Sequence, residues 1–229
     1  MIKGVIFDLD DTLIHEKEYI FSGFKVVSKK IEKDYKIDLH SQGVLSDMIR
    51  LFNLNKRNVF NRLLDSYGLG YSSKYIEDLI KLYRNHSPEI KLCDDARYII
   101  NYLYNKKVKL GIITDGYEVT QKNKLRVLDI DKYFDCIVIT DEIGREYWKP
   151  SEVPYQIVQR QLGLEYEEMI YVGDNIEKDF ITANRLGMGT VSITRKDGVY
   201  SELNMSEKYN AKYKVTSLNE LITLNYVQY

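Results

Sequence analysis

Ten residues near the start of the chain, Lys3 to Thr12 (KGVIFDLDDT), constrain the fold more than any other stretch. Val5, Ile6 and Phe7 form a β-branched and aromatic run suited to a strand buried on both faces. The run stops at Asp8, Leu9, Asp10, Asp11 and Thr12, which sets carboxylates at the carboxyl end of a central strand, where open α/β sheets hold their ligands. Like charges gathered there repel one another unless a cation is shared between them, and a hard divalent ion with oxygen ligands meets that need. A strand closed by an acidic turn fits this stretch equally well, so the rest of the chain has to decide.

From residue 15 to about 90 the pattern is helical. Ile20, Phe24, Val27, Ile31 and Tyr35 recur at helical spacing, as do Leu45, Met48, Ile49 and Phe52, then Val59, Phe60, Leu63, Leu64 and Tyr67, and last Ile76, Leu79, Ile80 and Tyr83. Gly68 stands where a C-terminal cap belongs. Four amphipathic helices make a small bundle, and Pro88 marks its end. Beyond it helix and strand alternate, as a doubly wound sheet requires. Strands are expected over Val108–Thr114, Cys136–Thr140, Met169–Val172, Thr190–Ile193 and Lys214–Thr216. Helices are expected after a cap at Asp94 or Asp95, over 120–128, after Pro150, over 178–186, and after a cap at Ser217. Right-handed crossovers make such a sheet mostly parallel.

Composition narrows the function. The 229 residues suffice for a domain with a substantial insertion, and 33 basic against 34 acidic residues give a net charge of −1. No basic excess points to nucleic acid or to an anionic membrane. No apolar run reaches the roughly 20 residues of a membrane helix. Cys93 and Cys136 form no metal-type spacing and suit a reduced compartment, and no leader precedes the first strand, so a cytoplasmic protein is expected.

Three more polar stretches follow apolar runs or lie in adjoining loops. Thr114, Asp115 and Gly116 close VKLGIIT, and a hydroxyl with the N–H groups of a tight turn can donate to phosphate without adding charge. Lys149, ahead of Pro150, can neutralise both a carboxylate and an incoming phosphate. Gly173, Asp174 and Asp179 follow MIYV, and Asp179, about one helical turn on, can return toward Asp174. Each stretch alone also suits an ordinary turn, a solvated lysine or a helix cap.

In this order, DLDDT, ITDG, Lys149-Pro150 and GDNIEKD resemble the four motifs of the haloacid dehalogenase (HAD) superfamily, with DxDx[TV] met by Asp8, Asp10 and Thr12 and GDxxxxD by Gly173, Asp174 and Asp179. The resemblance implies an α/β fold: a Rossmann-like, doubly wound, mostly parallel sheet of order 5-4-1-2-3, with residues 1–14 and 90–229 as the catalytic core and 15–89 as the helical C1 cap of subfamily I. Only 34 residues lie between Thr114 and Lys149, too few for the alternative α/β cap.

The same resemblance implies a Mg2+-dependent phosphatase that hydrolyses a small-molecule phosphomonoester through an aspartyl-phosphate. Asp8 is then the nucleophile and Asp10 the general acid and base, its backbone carbonyl also a metal ligand. Thr114, with the N–H groups of Asp115 and Gly116, would bind the phosphoryl oxygens, and Lys149 would balance their charge. Mg2+ would be held by Asp8, Asp10 and Asp174, with Asp179 in or just outside the metal shell. A carboxylate two residues after the nucleophile argues against dehalogenation. No cap lysine among Lys17, Lys25 and Lys29 has the context of a phosphonate-cleaving Schiff base. A sugar-phosphate mutase of the β-phosphoglucomutase type shares all four motifs and stays open, as does a non-catalytic binding protein on the same fold. A receiver domain is about half this length and has no helical insert.

The implied partner is a small phosphorylated metabolite of the nucleotide or sugar phosphate class, with a resemblance to the branch of pyrimidine nucleotidases and N-acylneuraminate-9-phosphate phosphatases, in a monomer or homodimer. His15, Glu16 and the cap would choose among substrates, and the cap would hinge near residues 14–18 and 87–91. His15, Lys56, Arg57 and Arg62 are individually expected to be solvated, and Trp148 to wall the pocket or pack in the core.

Overall fold

In the computed structural model, residues 2–37, 43–196, 198–199 and 206–223 are described. The chain divides into two compact units, Met1–Lys17 with Ile90–Tyr229, and Glu18–Glu89.

The larger unit is built on one parallel sheet of six strands, β1 (Gly4–Phe7), β2 (Lys109–Thr114), β3 (Cys136–Ile139), β4 (Met169–Gly173), β5 (Gly189–Ile193) and β6 (Tyr213–Val215). Their spatial order is β3-β2-β1-β4-β5-β6, the expected order read from its other edge, with β6 added beside β5. Strand alternation sends successive side chains to opposite faces. Val5, Phe7, Ile112, Ile170 and Val172 pack with Ile99, Ile100 and Leu103 of α5 (Asp94–Asn105) and Leu125 of α6 (Glu118–Leu128). Ile6, Ile113 and Tyr171 pack on the other side with Tyr155, Val158 and Leu162 of α7 (Val153–Leu162) and Phe180 and Ala183 of α8 (Phe180–Leu186). Two apolar layers therefore clamp the central strands, whose own residues are buried on both faces.

Several helix starts differ from expectation. Cys93, not Asp94 or Asp95, is the residue ahead of α5. From inside the first turn of α5, the Asp95 carboxylate accepts the Ala96 N–H at 2.8 Å and also meets Arg195 Nη1 at 2.8 Å and the Leu218 N–H at 2.8 Å, so it ties the start of α5 to the end of the unit as well. The helix expected at 178 begins only at Phe180, because residues 174–179 form the turn that carries the site. Ser217 does cap, in a reciprocal arrangement with Glu220, but the element it caps is the short 3-10 helix Leu218–Ile222.

The smaller unit contains α1 (Glu16–Tyr35), which starts in the preceding unit, and α2 (Gly43–Leu54), α3 (Val59–Ser66) and α4 (Ser73–Asn85). Ile20, Phe24, Val27 and Ile31 are buried along α1 and Leu63 and Leu64 on α3, the amphipathic spacing read from the sequence, whereas on α2 Val44 and Leu51 are buried beside Met48 and Phe52 in place of the expected Leu45 and Ile49, which are only partly covered. Phe24 meets Phe52 and Phe60 edge to face, with centroids 5.8 and 6.1 Å apart. Arg62 is not simply solvated: its guanidinium donates to Leu51 O at 3.1 Å, a carbonyl that also accepts the Asn55 N–H, and to Asn55 O at 2.7 Å, just past the end of α2.

Candidate active site

Strand register brings the acidic residues together. Phe7 pairs with Val172 on one side and Ile112 on the other, and the Asp8 N–H donates to Val172 O at 2.8 Å. Asp8 therefore leaves β1 beside Gly173 and Asp174, at the point where the strand order reverses between β1 and β4. After Leu9 the chain turns tightly: the N–H groups of Leu13 and Ile14 both return to Leu9 O, and Asp11 adopts φ +50°, a left-handed conformation that aspartate tolerates.

Carboxylate oxygens of Asp8, Asp174 and Asp179 lie within 4.8 Å of one another. Lys149, only 5% exposed, reaches into this group, its Nζ 2.6 Å from Asp8 Oδ1, 2.8 Å from Asp179 Oδ1 and 2.9 Å from the Tyr171 hydroxyl. Asp179 is fully buried, and its Oδ2 accepts the Asn175 N–H at 2.8 Å. Gly173 is required here because a Cβ at that position would collide with the Asp179 carboxylate.

The charges are unevenly balanced. Burial pushes Asp8 up to about 6, against the pull of Lys149. Burial, then the charges of Asp8 and Asp179, push Asp174 up to about 9, and Lys149 offsets only part of this. For Lys149 itself, burial disfavours the ammonium, but Asp179 and Asp8 outweigh it and hold its pKa well above the ordinary lysine value. Hard carboxylate oxygens gathered with an excess of negative charge fit a divalent cation such as Mg2+, which would relieve the incompletely compensated Asp174.

Asp10 lies apart from that group. Its carboxylate receives Lys124 Nζ at 2.6 and 2.7 Å and Gln121 Nε2 at 3.0 Å. Gln121 Nε2 also lies 2.5 Å from Thr114 Oγ1, which is fully buried at the end of β2. The Asp115 carboxylate is already engaged, by Thr140 Oγ1 at 2.8 Å, the Lys149 N–H at 3.1 Å and Lys178 Nζ at 3.0 Å, leaving its backbone as the part available to a ligand. Burial opposes ionisation of Asp115, but Lys149 and Lys178 outweigh it and lower its pKa. Gly116 holds φ +129°, which only glycine adopts readily.

At the start of α1, Glu16 is pushed up to about 7, by burial first and then by Asp10. Glu16 Oε2, His15 Nδ1 and Trp148 Nε1 are buried with no hydrogen-bond partner among the described residues, so His15 is not simply solvated. Trp148 meets Tyr117 edge to face at 6.4 Å.

Sequence reasoning did not single out Lys178, Tyr171, Gln121 or Lys124 for the site. Lys178 lies inside the GDNIEKD stretch itself. Gln121 and Lys124 stand three apart on the helix that follows Thr114–Gly116, a spacing that puts both on one helix face.

These features define an α/β protein with an acidic, cation-competent site at the carboxyl edge of a doubly wound sheet. Residues 5–193 match the haloacid dehalogenase-like hydrolase family, and the chain belongs to it. A glyceraldehyde 3-phosphate phosphatase of Methanocaldococcus jannaschii is 32% identical over 98% of this chain and 97% of its own length. The pyrophosphatase PpaX of Bacillus mycoides is 26% identical over 97% of this chain and 96% of its own. Among solved structures, a subfamily IA hydrolase of the HAD superfamily from Geobacter sulfurreducens superposes with a TM-score of 0.67 at 20% identity, over 97% of this chain and 96% of that one. That likeness speaks for the fold alone. Among the described residues no helix is long and apolar enough to cross a membrane.

Proposed function

We propose that this chain is a Mg2+-dependent phosphatase that hydrolyses a small phosphomonoester through an aspartyl-phosphate on Asp8. The observation that carries this is Lys149 Nζ lying 2.6 Å from Asp8 Oδ1 beside the carboxylates of Asp174 and Asp179. The names of relatives matched over nearly their whole length, a phosphatase of a three-carbon sugar phosphate and a pyrophosphatase, support the class of reaction.

With its pKa near 6, Asp8 is ionised at neutral pH, as a nucleophile must be. Lys149 fixes one Asp8 oxygen and so aims the carboxylate. An Asp8 oxygen bonds to phosphorus as the ester P–O bond breaks, and Asp10 gives its proton to the departing alcohol. Water then attacks the same phosphorus, its proton passes to Asp10, and the Asp8–phosphate bond breaks. Thr114 and the N–H groups of Asp115 and Gly116 hold the phosphoryl oxygens. Asp8 and Asp174, with the Asp10 carbonyl, would bind Mg2+ directly, and Asp179, both of whose oxygens are engaged, holds Lys149 from outside the shell. Bound there, Mg2+ supplies charge stabilisation to a dianionic substrate entering an acidic site.

The test is phosphate release from 4-nitrophenyl phosphate and a panel of sugar phosphates and nucleotides. Turnover that needs Mg2+ and disappears in Asp8→Asn is expected. Undiminished turnover in EDTA, or in Asp8→Asn, would refute the proposal.

A further inference from the structure

A lysine side chain is seldom fully buried unless an anion faces it. Lys124 is 3% exposed, and its Nζ lies 2.6 and 2.7 Å from the two oxygens of Asp10. One turn earlier on the same face of α6, Gln121 is 1% exposed and places Nε2 near Asp10 Oδ2, Thr114 Oγ1 and Asp115 O, at 3.0, 2.5 and 2.8 Å. The chain makes room for this: a Cβ at Gly116 would meet Gln121 Cδ at 3.2 Å. One helix face therefore grips the loop after β1 and the end of β2 together. A helix needing only to cover the sheet would carry apolar residues at these positions, as α5 does with Ile99, Ile100 and Leu103.

We infer that Lys124 and Gln121 are positioning residues, holding the Asp10 carboxylate at the angle from which it exchanges a proton with the ester oxygen and then with water. The inference rests on the phosphatase function proposed above. It adds that the helix after the second motif, and not the acidic loop alone, sets how well the enzyme expels a poor leaving group. Orientation of Asp10 matters in proportion to the proton the leaving oxygen needs. An alkoxide needs that proton as the P–O bond breaks, whereas 4-nitrophenolate departs without it. Water attack on the aspartyl-phosphate needs the same carboxylate, as a base, whichever ester was cleaved.

The experiment compares kcat/KM, which ends at leaving-group departure, for an alkyl phosphate and for 4-nitrophenyl phosphate with Mg2+ present. Lys124→Met is expected to lose about tenfold or more beyond any loss on the aryl ester, part of the 10²–10⁴ that a positioned acid contributes. It should also show a burst of about one equivalent of 4-nitrophenolate as hydrolysis of the intermediate slows. Lys124→Arg should recover part of the alkyl activity, and Gln121→Leu should shift the ratio the same way by less. In an Asp10→Asn background, Lys124→Met should add little. If Lys124→Met does not fold, Lys124→Arg and Gln121→Leu carry the comparison. Equal losses on both esters without a burst, or additive losses with Asp10→Asn, would overturn the inference while leaving the phosphatase function intact. A wild-type protein inert toward both esters would instead overturn that function, and this inference with it.

Discussion

Replacing Lys149 by methionine removes the cation held between Asp8 and Asp179, at 2.6 and 2.8 Å, from a place with almost no access to water. Methionine keeps most of the volume, so the loss is electrostatic. Deleting one partner of a buried ion pair costs about 3–5 kcal/mol, because the remaining charge stays buried without compensation. At 2–4 °C per kcal/mol for a chain of this size, the metal-free variant should melt roughly 6–20 °C below wild type near pH 8. The pH dependence has a definite sign. The Lys149 pKa is raised in the folded state, so its contribution is fully present below the ordinary lysine value of about 10.5 and is lost only in strong alkali. The carboxylates it leaves behind can take up protons in acid, so the deficit should shrink from pH 8 to pH 5. Mg2+ should restore part of it by supplying charge to the same oxygens. Thermal melts of the EDTA-treated proteins at the two pH values, with and without added Mg2+, measure all of this. A deficit equal at pH 5 and pH 8, or one below about 2 °C, would show that Lys149 does not carry the charge balance assigned to it.

Asp174→Asn should raise the melting temperature of the metal-free protein above pH 8, since it removes a carboxylate that ionises only near pH 9, while abolishing stabilisation by Mg2+. In metal-free wild type, the raised values of Asp8 and Asp174 mean that the folded state holds protons the unfolded state has released, so stability should fall as pH rises from about 4 toward 9. Mg2+ must displace those protons, so calorimetric affinity for Mg2+ should rise over the same window. Gly173→Ala drives a methyl group into the Asp179 carboxylate and should lower stability by about 1–3 kcal/mol in denaturant melts, with a steep loss of phosphate release because Lys149 moves with Asp179.

The strands of the site were legible because they are short, doubly buried and free of competing helical periodicity, and each runs straight into its polar residues. Register is then settled, since pairing Phe7 with Val172 leaves Asp8 nowhere to emerge but beside Asp174. Side-chain pairing across the molecule was not legible. Asp95 looked like a helix cap because a carboxylate ahead of an apolar run usually is one; its partner Arg195 lies a hundred residues away. Lys124 drew no reading from the sequence, because nothing local distinguishes a lysine facing water from one facing Asp10. Positions of oppositely charged residues in sequence carry no record of which pairs fold together.

The distribution of lysines decides which acids would be left for the proposed metal. Lys124 is committed to Asp10, Lys178 to Asp115, and Lys149 to Asp8 and Asp179. Asp11 needs no cation, since its two oxygens accept the N–H groups of Glu16 and Val199 at 2.9 and 2.6 Å. Asp174 has only a shared claim on Lys149 and is pushed further up than Asp8 or Glu16. A fourth lysine beside Asp174 would neutralise it permanently and exclude a metal. Among the described residues no such lysine stands there, which leaves a deficit that a removable cation can fill, and on the proposed function a cation arriving with a phosphate dianion would balance the substrate's charge at the same position. On the proposed function, the arrangement separates the permanent charge that keeps Asp8 and Asp10 in place from the exchangeable charge that would let an anionic substrate in.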